Sequence, residues 1–519
     1  MTGLGLVQTW LAHWDRDPHK VVIREVAAGE VGTLSVTAGE VVVESTRVAR
    51  ALHGLGVREG DRVILSADPG IDTVLAYVAL LRSGAIVVPA NTAYTTRELE
   101  HIVDDVQPTA IVASEPGRFR GVGSGVACAT PMALRAEMDA DDSSARESRI
   151  ALDRCDPNAP AMIAYTSGTT GRPKGAVLRH RHLAAGAAAV VRAWAWSRDD
   201  SLIHALPMFH MHGLGVGING TFFAGASMVV LRRFSAELVR AVVQDESPTM
   251  FFGVPTMYSM LDRAEALPVL APLRILVSGS APLDPVLFGR IEAATGQRPV
   301  ERYGMSETVM LCSNPYDESV HRRHPGQVGR ALPGVGVRIA STDEPGATDH
   351  VGEVEVSGPN VFDSYWRAPE ATRAAFSSDG WFRTGDLGML DEDGVLTLVG
   401  RSSELIITGG YNVYPREVED VLHSHAGISD VAVVGVRDDT WGERVVAAVV
   451  PAATPADVEP PTAALADGLA ALADRELAPY KRPREYVVVS GIPRNPLGKI
   501  LRAEVRGLIA SDPSARGDS

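Results

Sequence analysis

Residues 161–175 read AMIAYTSGTTGRPKG, an apolar strand-like run followed directly by hydroxyl, glycine and basic residues. Glycines let backbone N–H groups turn towards an anion, hydroxyls add further donors, and Lys174 adds a point charge. The stretch therefore predicts a polyphosphate-binding loop after a buried strand, with a mobile surface loop as the alternative. It is not a P-loop, because Pro173 stands five residues after Gly168, where that motif requires Gly-Lys-Ser/Thr.

Helix-like and strand-like apolar runs alternate on both sides of this loop. Residues 71–82 and 283–294 are helix-like, whereas residues 85–89 and 274–277 are strand-like. Alternation of this kind predicts layers of helices and strands, the α/β class.

The pattern changes after residue 400, where short strands are separated by helices over a length that suits an independent α+β unit. We therefore predict an N-terminal domain at residues 1–400, a small C-terminal domain at 401–511 and a tail at 512–519. A turn-rich stretch places the hinge between Asp386 and Ile406.

The composition is that of a globular protein, with 519 residues, 45% hydrophobic residues and a net charge of 49 − 64 = −15. This charge argues against a nucleic-acid or anionic-membrane partner. The apolar runs are shorter than the roughly 20 residues of a membrane-spanning helix. Three scattered cysteines and an N-terminus without a secretory pattern predict a reducing, cytoplasmic location. We expect small-molecule partners and a monomer or homodimer.

Two further segments place reactive side chains after turns. In residues 301–308, ERYGMSET, Ser306 and Glu307 follow a glycine. One carboxylate beside a hydroxyl is sufficient protein ligation for Mg²⁺, which keeps waters and bridges to substrate phosphates. Residues 492–500, IPRNPLGKI, present Lys499 after a proline- and glycine-rich turn. Alone, the first segment equally suits an exposed turn, and Lys499 suits a solvated lysine.

Together these segments resemble the adenylate-forming enzymes, which include acyl-CoA synthetases, aryl-CoA ligases, luciferases and peptide-synthetase adenylation domains. Five motifs occur in the family's order and approximate spacing over nearly the whole chain: residues 166–175, 303–307, 384–386, 400–401 and 493–499. The resemblance implies a large N-terminal α/β domain and a small mobile α+β domain, with ATP bound between them. It also implies that ATP activates a carboxylic acid to an acyl-adenylate, which coenzyme A then attacks.

The resemblance implies roles for individual residues. Lys499 contacts the carboxylate and the α-phosphate, Asp386 binds the ribose hydroxyls and Arg401 assists there. Lys174, Ser306 and a Mg²⁺ ion on Glu307 and Thr166 add countercharge to the transferring phosphorus. The implied ATP- and AMP-binding residues are Thr166, Ser167, Gly168, Thr169, Thr170, Gly171, Lys174, Ser278, Gly279, Ser280, Ala281, Glu301, Arg302, Tyr303, Gly304, Met305, Ser306, Asp386 and Arg401.

For the second half-reaction the family rotates its small domain about a hinge residue. Ser403 stands at that position, where the family usually has Asp or Lys, and a small polar residue can still change φ and ψ. Gly409, Gly410 and Tyr411 resemble the family's Gly-Gly-aromatic turn, which lines the pantetheine channel. Lys481 is a candidate contact for the coenzyme A phosphates, although a solvated basic turn is an equal alternative.

The resemblance is closest to the malonyl-CoA synthetase branch, through residues 209–213, 277–281, 301–307 and 313–317. The implied acyl-binding residues are His210, Gly213, Ile218, Gly253, Met305 and Met310. A second carboxylate would need a cation, and the candidates are Arg232, Arg233 and Arg274.

An apolar substrate is the alternative. Gly215 and Gly217 remove side-chain bulk and Ile218 offers an apolar wall, which favours an alkyl chain or ring. The sequence leaves open a malonate-type acid, a medium-chain or cinnamate-type acid, and an enzyme that loads a carrier protein.

Overall fold

The computed structural model describes residues 5–26, 34–123, 125–136, 151–166, 173–340, 351–438, 440–452, 462–495 and 498–511. Over these residues the chain is mixed α/β, with a large N-terminal and a small C-terminal domain, which confirms the predicted fold class.

The strands are, in chain order, β1 (Val21–Val26), β2 (Leu34–Thr37), β3 (Arg62–Ser66), β4 (Ile86–Pro89), β5 (Ala110–Ala113), β6 (Ala127–Ala129), β7 (Pro160–Thr166), β8 (Lys174–Arg179), β9 (Ser201–His204), β10 (Ser227–Leu231), β11 (Met250–Gly253), β12 (Ile275–Ser278), β13 (Val300–Tyr303), β14 (Cys312–Ser313), β15 (Gln327–Ala331), β16 (Gly336–Ile339), β17 (Gly352–Ser357), β18 (Ser364–Tyr365), β19 (Phe382–Leu390), β20 (Val395–Arg401), β21 (Ile406–Thr408), β22 (Tyr411–Val413), β23 (Ile428–Asp438), β24 (Gly442–Pro451) and β25 (Glu485–Val488).

The helices are, in chain order, α1 (Leu6–Arg16), α2 (Ala38–Gly54), α3 (Ile71–Arg82), α4 (Thr96–Val106), α5 (Pro131–Ala136), α6 (His180–Ala193), α7 (Asn219–Phe223), α8 (Ala236–Glu246), α9 (Pro255–Arg263), α10 (Pro285–Thr295), α11 (Pro369–Ala375), α12 (Pro415–His423), α13 (Thr462–Glu476) and α14 (Arg502–Ser511). A π-helix spans His212–Ile218 and a short 3₁₀ helix spans Ser402–Glu404. Within the described ranges, no helix has the length and apolar character that a bilayer span requires.

The described strands form three sheets. The large sheet has thirteen strands in the order β16-β17-β19-β20-β15-β14-β13-β12-β11-β9-β10-β1-β2, and its segment from β13 to β1 is parallel. The second sheet has seven strands in the order β18-β8-β7-β4-β3-β5-β6. In the C-terminal domain the order is β22-β21-β24-β23, with β25 paired to β24. Parallel strands bring their carboxyl ends to one edge, and this edge holds the candidate site.

Apolar helices pack against the sheets. The predicted helix at residues 71–82 is α3, and nearly all of its side chains are buried because they are apolar on every face. Its one buried cation, Arg82, is neutralised by Asp153, with Nε 2.8 Å from Oδ1. At the amino end, Trp10 and Trp14 of α1 pack edge-on against Phe222, with ring centroids 5.6 and 5.1 Å apart.

The predicted domain boundary lies at the end of β20. This strand still pairs with β19 in the large sheet, where Arg401 is opposite Asp386. The helix Ser402–Glu404 follows, and β21 begins the C-terminal sheet. The stretch predicted to contain the hinge therefore spans the last paired strand of the N-terminal domain and the short connection after it.

Two polar contacts of α12 join the domains. Arg416 Nη1 donates to Leu398 O over 3.1 Å, and His423 Nδ1 lies 3.8 Å from Asp284 Oδ2. The C-terminal domain thus docks beside β20 and α10, close to the edge where the parallel strands end.

Candidate active site

The carboxyl ends of β11, β12 and β13 gather residues that are far apart in the sequence. Gly253, Ser278 and Tyr303 end these three neighbouring strands. Four further predicted residues follow them and are partly buried: Ala281, Gly304, Met305 and Ser306. Ligands of open α/β sheets bind outside such strand ends, so the geometry supports a site here.

Asp386 stands at the centre of one polar cluster. Tyr303 Oη donates to its Oδ2 over 2.5 Å, and Arg401 Nε lies 2.9 Å from its Oδ1. Burial, together with the neighbouring Asp386 carboxylate, raises the pKa of Tyr303 well above its ordinary value. The carboxylate is therefore fixed in position, while each oxygen keeps a lone pair that could accept from a ligand hydroxyl.

Glu307 lies in a second cluster with Tyr365 and Lys174. The Glu307 side chain is buried, burial raises its pKa, and Tyr365 Oη donates to its Oε1 over 3.0 Å. Lys174 Nζ lies 5.5 Å from the centroid of the same tyrosine ring. Thr166 ends β7, where it pairs with Lys174. The predicted loop residues between these two, Ser167, Gly168, Thr169, Thr170 and Gly171, lie outside the described residues.

Lys499 is held near the Asp386 cluster by its own loop. Arg494 donates to Gly498 O over 2.7 Å and is anchored by Asp430, with Nη2 2.7 Å from Oδ1. Lys499 Nζ lies 3.8 Å from Glu404 Oε1. Burial, followed by the positive charge of Arg401, lowers the pKa of Lys499.

Gly498 shows how closely this loop approaches the N-terminal domain. Its φ is +80°, and a Cβ atom at this position would lie only 2.7 Å from Cγ2 of Thr256 in α9. Glycine is therefore required here both by the backbone conformation and by the contact.

Arg302 points away from the Asp386 cluster, into a buried polar pocket. Its Nη2 donates to Ser280 Oγ over 3.2 Å, and Ser280 Oγ lies 3.3 Å from His212 Nδ1. A Cβ atom on Gly279 would lie 2.3 Å from Arg302 Nε, so the guanidinium packs directly on the glycine backbone. Ser280 has a φ of +71°, a conformation that non-glycine residues rarely adopt and that is concentrated at functional sites.

The charge of Arg302 lacks an acidic partner in the described part of the chain. Burial lowers its pKa to about 9, and Nε has no hydrogen-bond acceptor there. The adjacent imidazoles are neutral, because burial lowers the pKa of His204 to about 4 and that of His212 well below its ordinary value. A buried cation without a counter-charge is costly, so a negatively charged ligand would complete this pocket.

The π-helix His212–Ile218 forms a closely packed wall beside this pocket. A Cβ atom on Gly213 would lie 2.2 Å from Pro207 O, and one on Gly215 would lie 2.0 Å from Met211 Sδ. One on Gly217 would lie 3.2 Å from His204 Cε1. The expectation that Gly215 and Gly217 leave room for an alkyl chain is therefore corrected, since neighbouring side chains occupy that space.

Three other residues predicted to bind the acyl group are partly or fully buried. His210 is partly buried, its ring centroid lies 4.5 Å from that of Phe209, and burial lowers its pKa to about 4. Ile218 and Met310 are fully buried.

The three arginines predicted for a second carboxylate do not meet at the site. Arg274 precedes β12, at the opposite edge of the sheet from Ser278, and its Nε lies 2.6 Å from Asp200 Oδ1. Arg232 is paired with Glu25 at 2.5 Å. Arg233 is exposed after β10, three strands from β12. The structure does not support their assignment to the acyl site.

A two-residue hairpin turn presents the predicted coenzyme A residues. Gly409 and Gly410 have φ values of +57° and +82° and join β21 to β22, as the hairpin requires. Tyr411 is 58% exposed and stacks on Tyr480, with ring centroids 4.7 Å apart. Lys481 lies beside this pair, with Nζ 2.5 Å from Glu417 Oε1.

Two neighbours of this turn, Trp441 and Arg484, were not predicted from the sequence. Trp441 is exposed and packs on Gly409, where a Cβ atom would lie 2.8 Å from its ring. Arg484 Cζ lies 4.1 Å from the centroid of the Trp441 ring. The run of basic residues after Tyr480 in YKRPR, residues 480–484, was the available signal for Arg484. The predicted hinge residue Ser403 is exposed in the helix Ser402–Glu404.

Two family models and many known proteins match this chain. The model of the AMP-binding enzyme family matches residues 11–366, and that of the AMP-binding enzyme C-terminal domain matches residues 417–499. The mitochondrial malonate–CoA ligase ACSF3 of Mus musculus is 36% identical over 501 residues, covering 87% of this chain and 82% of that protein.

Solved structures are similar over the whole chain. The crystal structure of ATP-bound MatB from Rhodopseudomonas palustris has a TM-score of 0.87 and 36% identity, covering 98% of this chain and 99% of that one. A malonyl-CoA ligase ternary product complex with methylmalonyl-CoA and AMP has a TM-score of 0.64 and 38% identity, covering 92% and 97%.

The chain therefore belongs to the AMP-binding enzyme family. Within that family it is an acyl-CoA synthetase, an ATP-dependent ligase that forms AMP while joining a carboxylic acid to coenzyme A.

Proposed function

We propose that the enzyme activates a malonate-type dicarboxylic acid, with one carboxylate reacting and the other bound by Arg302. The observation that carries this proposal is the buried Arg302 guanidinium, which contacts Ser280 and packs on Gly279 without an acidic partner in the described ranges. Arginine binds a carboxylate through two parallel hydrogen bonds, and each charge-assisted bond contributes about 1.5–3 kcal/mol. A substrate with a second carboxylate uses this cation, whereas a monocarboxylic acid leaves it unpaired.

The walls of the pocket favour a short acid. Met211 and His204 occupy the spaces beside Gly215 and Gly217, and Val309 Cγ1 lies 3.4 Å from a Cβ position on Gly215. A medium-chain or cinnamate-type acid would have to displace these side chains. The relatives named as malonate–CoA ligases, and the solved complex with methylmalonyl-CoA, support the same substrate class.

In the first half-reaction, a carboxylate oxygen attacks the α-phosphorus of ATP. The bond from that phosphorus to the oxygen bridging to the β-phosphate breaks, and pyrophosphate leaves. Lys499 and Lys174 bring positive charge to the oxygens that gain negative charge in the transition state. Asp386 accepts hydrogen bonds from the ribose hydroxyls, and Ser306 donates to a phosphate oxygen.

The residues present fit a magnesium ion. Glu307 offers a buried carboxylate and Thr166 a hydroxyl, both oxygen ligands of the kind that Mg²⁺ prefers. When bound, the ion would supply charge neutralisation for the phosphates. Tyr365 occupies Glu307 Oε1 and leaves Oε2 for such a ligand.

In the second half-reaction, the sulfur of coenzyme A attacks the acyl-adenylate carbonyl, AMP leaves and the thiol proton is lost to solvent. The exposed turn Gly409–Gly410, with Tyr411 beside it, lines the approach of pantetheine, and Lys481 contacts a coenzyme A phosphate. The residue at which the domains rotate between the half-reactions is Ser403, on the short connection between β20 and β21.

We also assign the enzyme to a reducing, cytoplasmic compartment. The three cysteines, Cys128, Cys155 and Cys312, are all free thiols, and burial raises the pKa of each. Thiols of this kind suit a compartment that does not oxidise them.

Thioester formation tests the proposal. ATP, Mg²⁺ and coenzyme A are combined with malonate, methylmalonate, propionate, octanoate or cinnamate, and acyl-CoA is quantified by chromatography. Malonate or methylmalonate should react fastest. Preference for octanoate or cinnamate would overturn the assignment of Arg302. Acid-dependent pyrophosphate exchange without thioester formation on free coenzyme A would indicate a carrier-protein-loading enzyme instead.

A further inference from the structure

The segment that follows Glu307 contains a strained turn centred on Val309. Val309 has a φ of +59°, and Met310 N donates to Thr308 O over 2.6 Å, which makes a γ-turn. β-Branched side chains are strongly disfavoured in this region, and such strain persists only where the surrounding structure imposes it. The Val309 side chain is also fully buried, with Cγ1 2.7 Å from a Cβ position on Gly186.

Asn360 holds both ends of this turn. Its buried Nδ2 group donates to Thr308 O over 2.8 Å and to Met310 O over 2.6 Å. An amide has two N–H donors, so both are used on the two carbonyls that flank Val309. Its Oδ1 atom accepts no hydrogen bond from the described residues. The side chain thus serves the turn alone.

Residues 360–365, the segment that begins with Asn360, contact Glu307 at two further points. Phe362 N donates to Glu307 O over 2.8 Å, and Tyr365 Oη donates to Glu307 Oε1 over 3.0 Å. Tyr365 is itself fixed by backbone pairing with Ala176 in β8, the strand that begins at Lys174. Residues 360–365 therefore donate hydrogen bonds to the Glu307 backbone, to the turn after it and to one oxygen of its carboxylate.

We propose that Asn360 and Tyr365 are positioning residues for Glu307. Asn360 imposes the γ-turn at Val309, which fixes the course of the backbone directly after Glu307, and Tyr365 fixes the rotation of the carboxylate. Together they direct Oε2 to the place where a magnesium ion and the nucleotide phosphates would lie. This inference rests on the metal role proposed for Glu307 above.

Magnesium-dependent nucleotide binding tests this arrangement without turnover. The Kd of ATP is measured by calorimetry across a range of Mg²⁺ concentrations, in the absence of a carboxylic acid. In Asn360→Ala and in Tyr365→Phe, the Mg²⁺ concentration for half-maximal tightening should rise about 10-fold or more, as expected when a residue that orients a metal ligand is removed. ATP binding without Mg²⁺ should change less than 2-fold by comparison.

A rescue variant separates positioning from general destabilisation. Glycine adopts the conformation of Val309 without strain, so Asn360→Ala combined with Val309→Gly should recover most of the lost Mg²⁺ dependence. Tyr77→Phe is the matched control for Tyr365→Phe, because it removes a buried tyrosine hydroxyl that donates to Asn219 over 2.9 Å and not to Glu307. Its Mg²⁺ dependence should equal that of the wild type.

The outcomes distinguish the two proposals. If the wild type shows no Mg²⁺ dependence, the metal role of Glu307 fails, and this inference fails with it. If the wild type depends on Mg²⁺ but Asn360→Ala and Tyr365→Phe behave like the wild type, the positioning role alone is overturned. Failure of Val309→Gly to rescue a folded Asn360→Ala variant, checked by its thermal unfolding, would contradict the role of the strained turn.

Discussion

Arg302 Nη2 donates to Ser280 Oγ over 3.2 Å, across the carboxyl ends of adjacent strands β12 and β13. Ser280 adopts a left-handed backbone conformation to make this contact, and Gly279 allows the guanidinium to approach the chain. The pocket is therefore preorganised around a cation. Among the described residues no negative charge pairs with this cation, and a ligand carboxylate would supply one.

Replacing Arg302 by methionine should leave the ligand-free protein at least as stable as the wild type. An unpaired buried charge is removed while the side-chain length is kept, and such changes are neutral or stabilise by up to about 4 kcal/mol. Malonate should raise the melting temperature of the wild type but not that of Arg302→Met. Thermal unfolding with and without malonate measures both effects. A variant destabilised by more than about 2 kcal/mol would mean that the guanidinium is already satisfied without ligand.

Met211→Ala should widen the acyl pocket. The Met211 sulfur fills the space beside Gly215, so its removal makes room for additional methylenes, each contributing about 0.8 kcal/mol on burial. The kcat/KM for ethylmalonate relative to malonate should rise up to about 15-fold, the ratio that corresponds to burying its two additional carbons. Met132→Ala, on the exposed surface of α5, provides the control. An unchanged ratio would place the substrate elsewhere.

Lys499 and Tyr411 should separate the two half-reactions. Lys499→Ala removes charge from the transferring phosphorus and should slow acid-dependent pyrophosphate–ATP exchange about 10²- to 10³-fold. Tyr411→Ala should leave exchange nearly unchanged but raise the KM of coenzyme A by up to about 10-fold, as for one aromatic contact. If Tyr411→Ala slowed exchange as much as Lys499→Ala, the hairpin turn would act in adenylation.

The pH dependence of stability should report Glu301. Burial raises its pKa to about 7 from 4.5, and the Asp420 carboxylate on α12 adds to this rise. N–H donors from Gly326 and Leu283 and the positive charge of Arg416 act in the opposite direction. Because the folded-state pKa is the higher one, Glu301 contributes most stability below pH 4.5, and this contribution is lost as pH rises through 7.

A glutamine variant isolates this effect. The difference in free energy of unfolding between Glu301→Gln and the wild type should move in favour of the variant by about 3 kcal/mol between pH 4 and pH 8. Denaturant unfolding at several pH values measures it. Parallel pH curves for the two proteins would show that Glu301 titrates normally.

Local patterns predicted the elements, because apolar periodicity and glycine-rich turns act over a few residues. The helix at residues 71–82 forms as expected, and the strand before the hydroxyl-rich loop is β7. Such local patterns do not predict which side chains pair when they are far apart in the sequence. Arg274 is neutralised by Asp200, 74 residues away, and Glu307 is held by Tyr365, 58 residues away.

The direction of the Arg302 side chain has a simple geometric reason. Alternate side chains of β13 point to opposite faces, so Glu301 and Tyr303 share one face while Arg302 faces the other. Residues 301–306 were all predicted from the sequence to bind the nucleotide. Strand periodicity places Arg302 on the opposite face, where we propose that the second carboxylate binds.

The ratio of kcat/KM for malonate to that for propionate, in the wild type and in Arg302→Met, tests the central claim most directly. Propionate replaces the second carboxylate by a methyl group and keeps the reacting one. The wild type should prefer malonate by about 10²-fold or more, the value of two charge-assisted hydrogen bonds, and Arg302→Met should lose that preference while still activating propionate. Equal ratios in the two proteins would contradict the binding of a second carboxylate by Arg302.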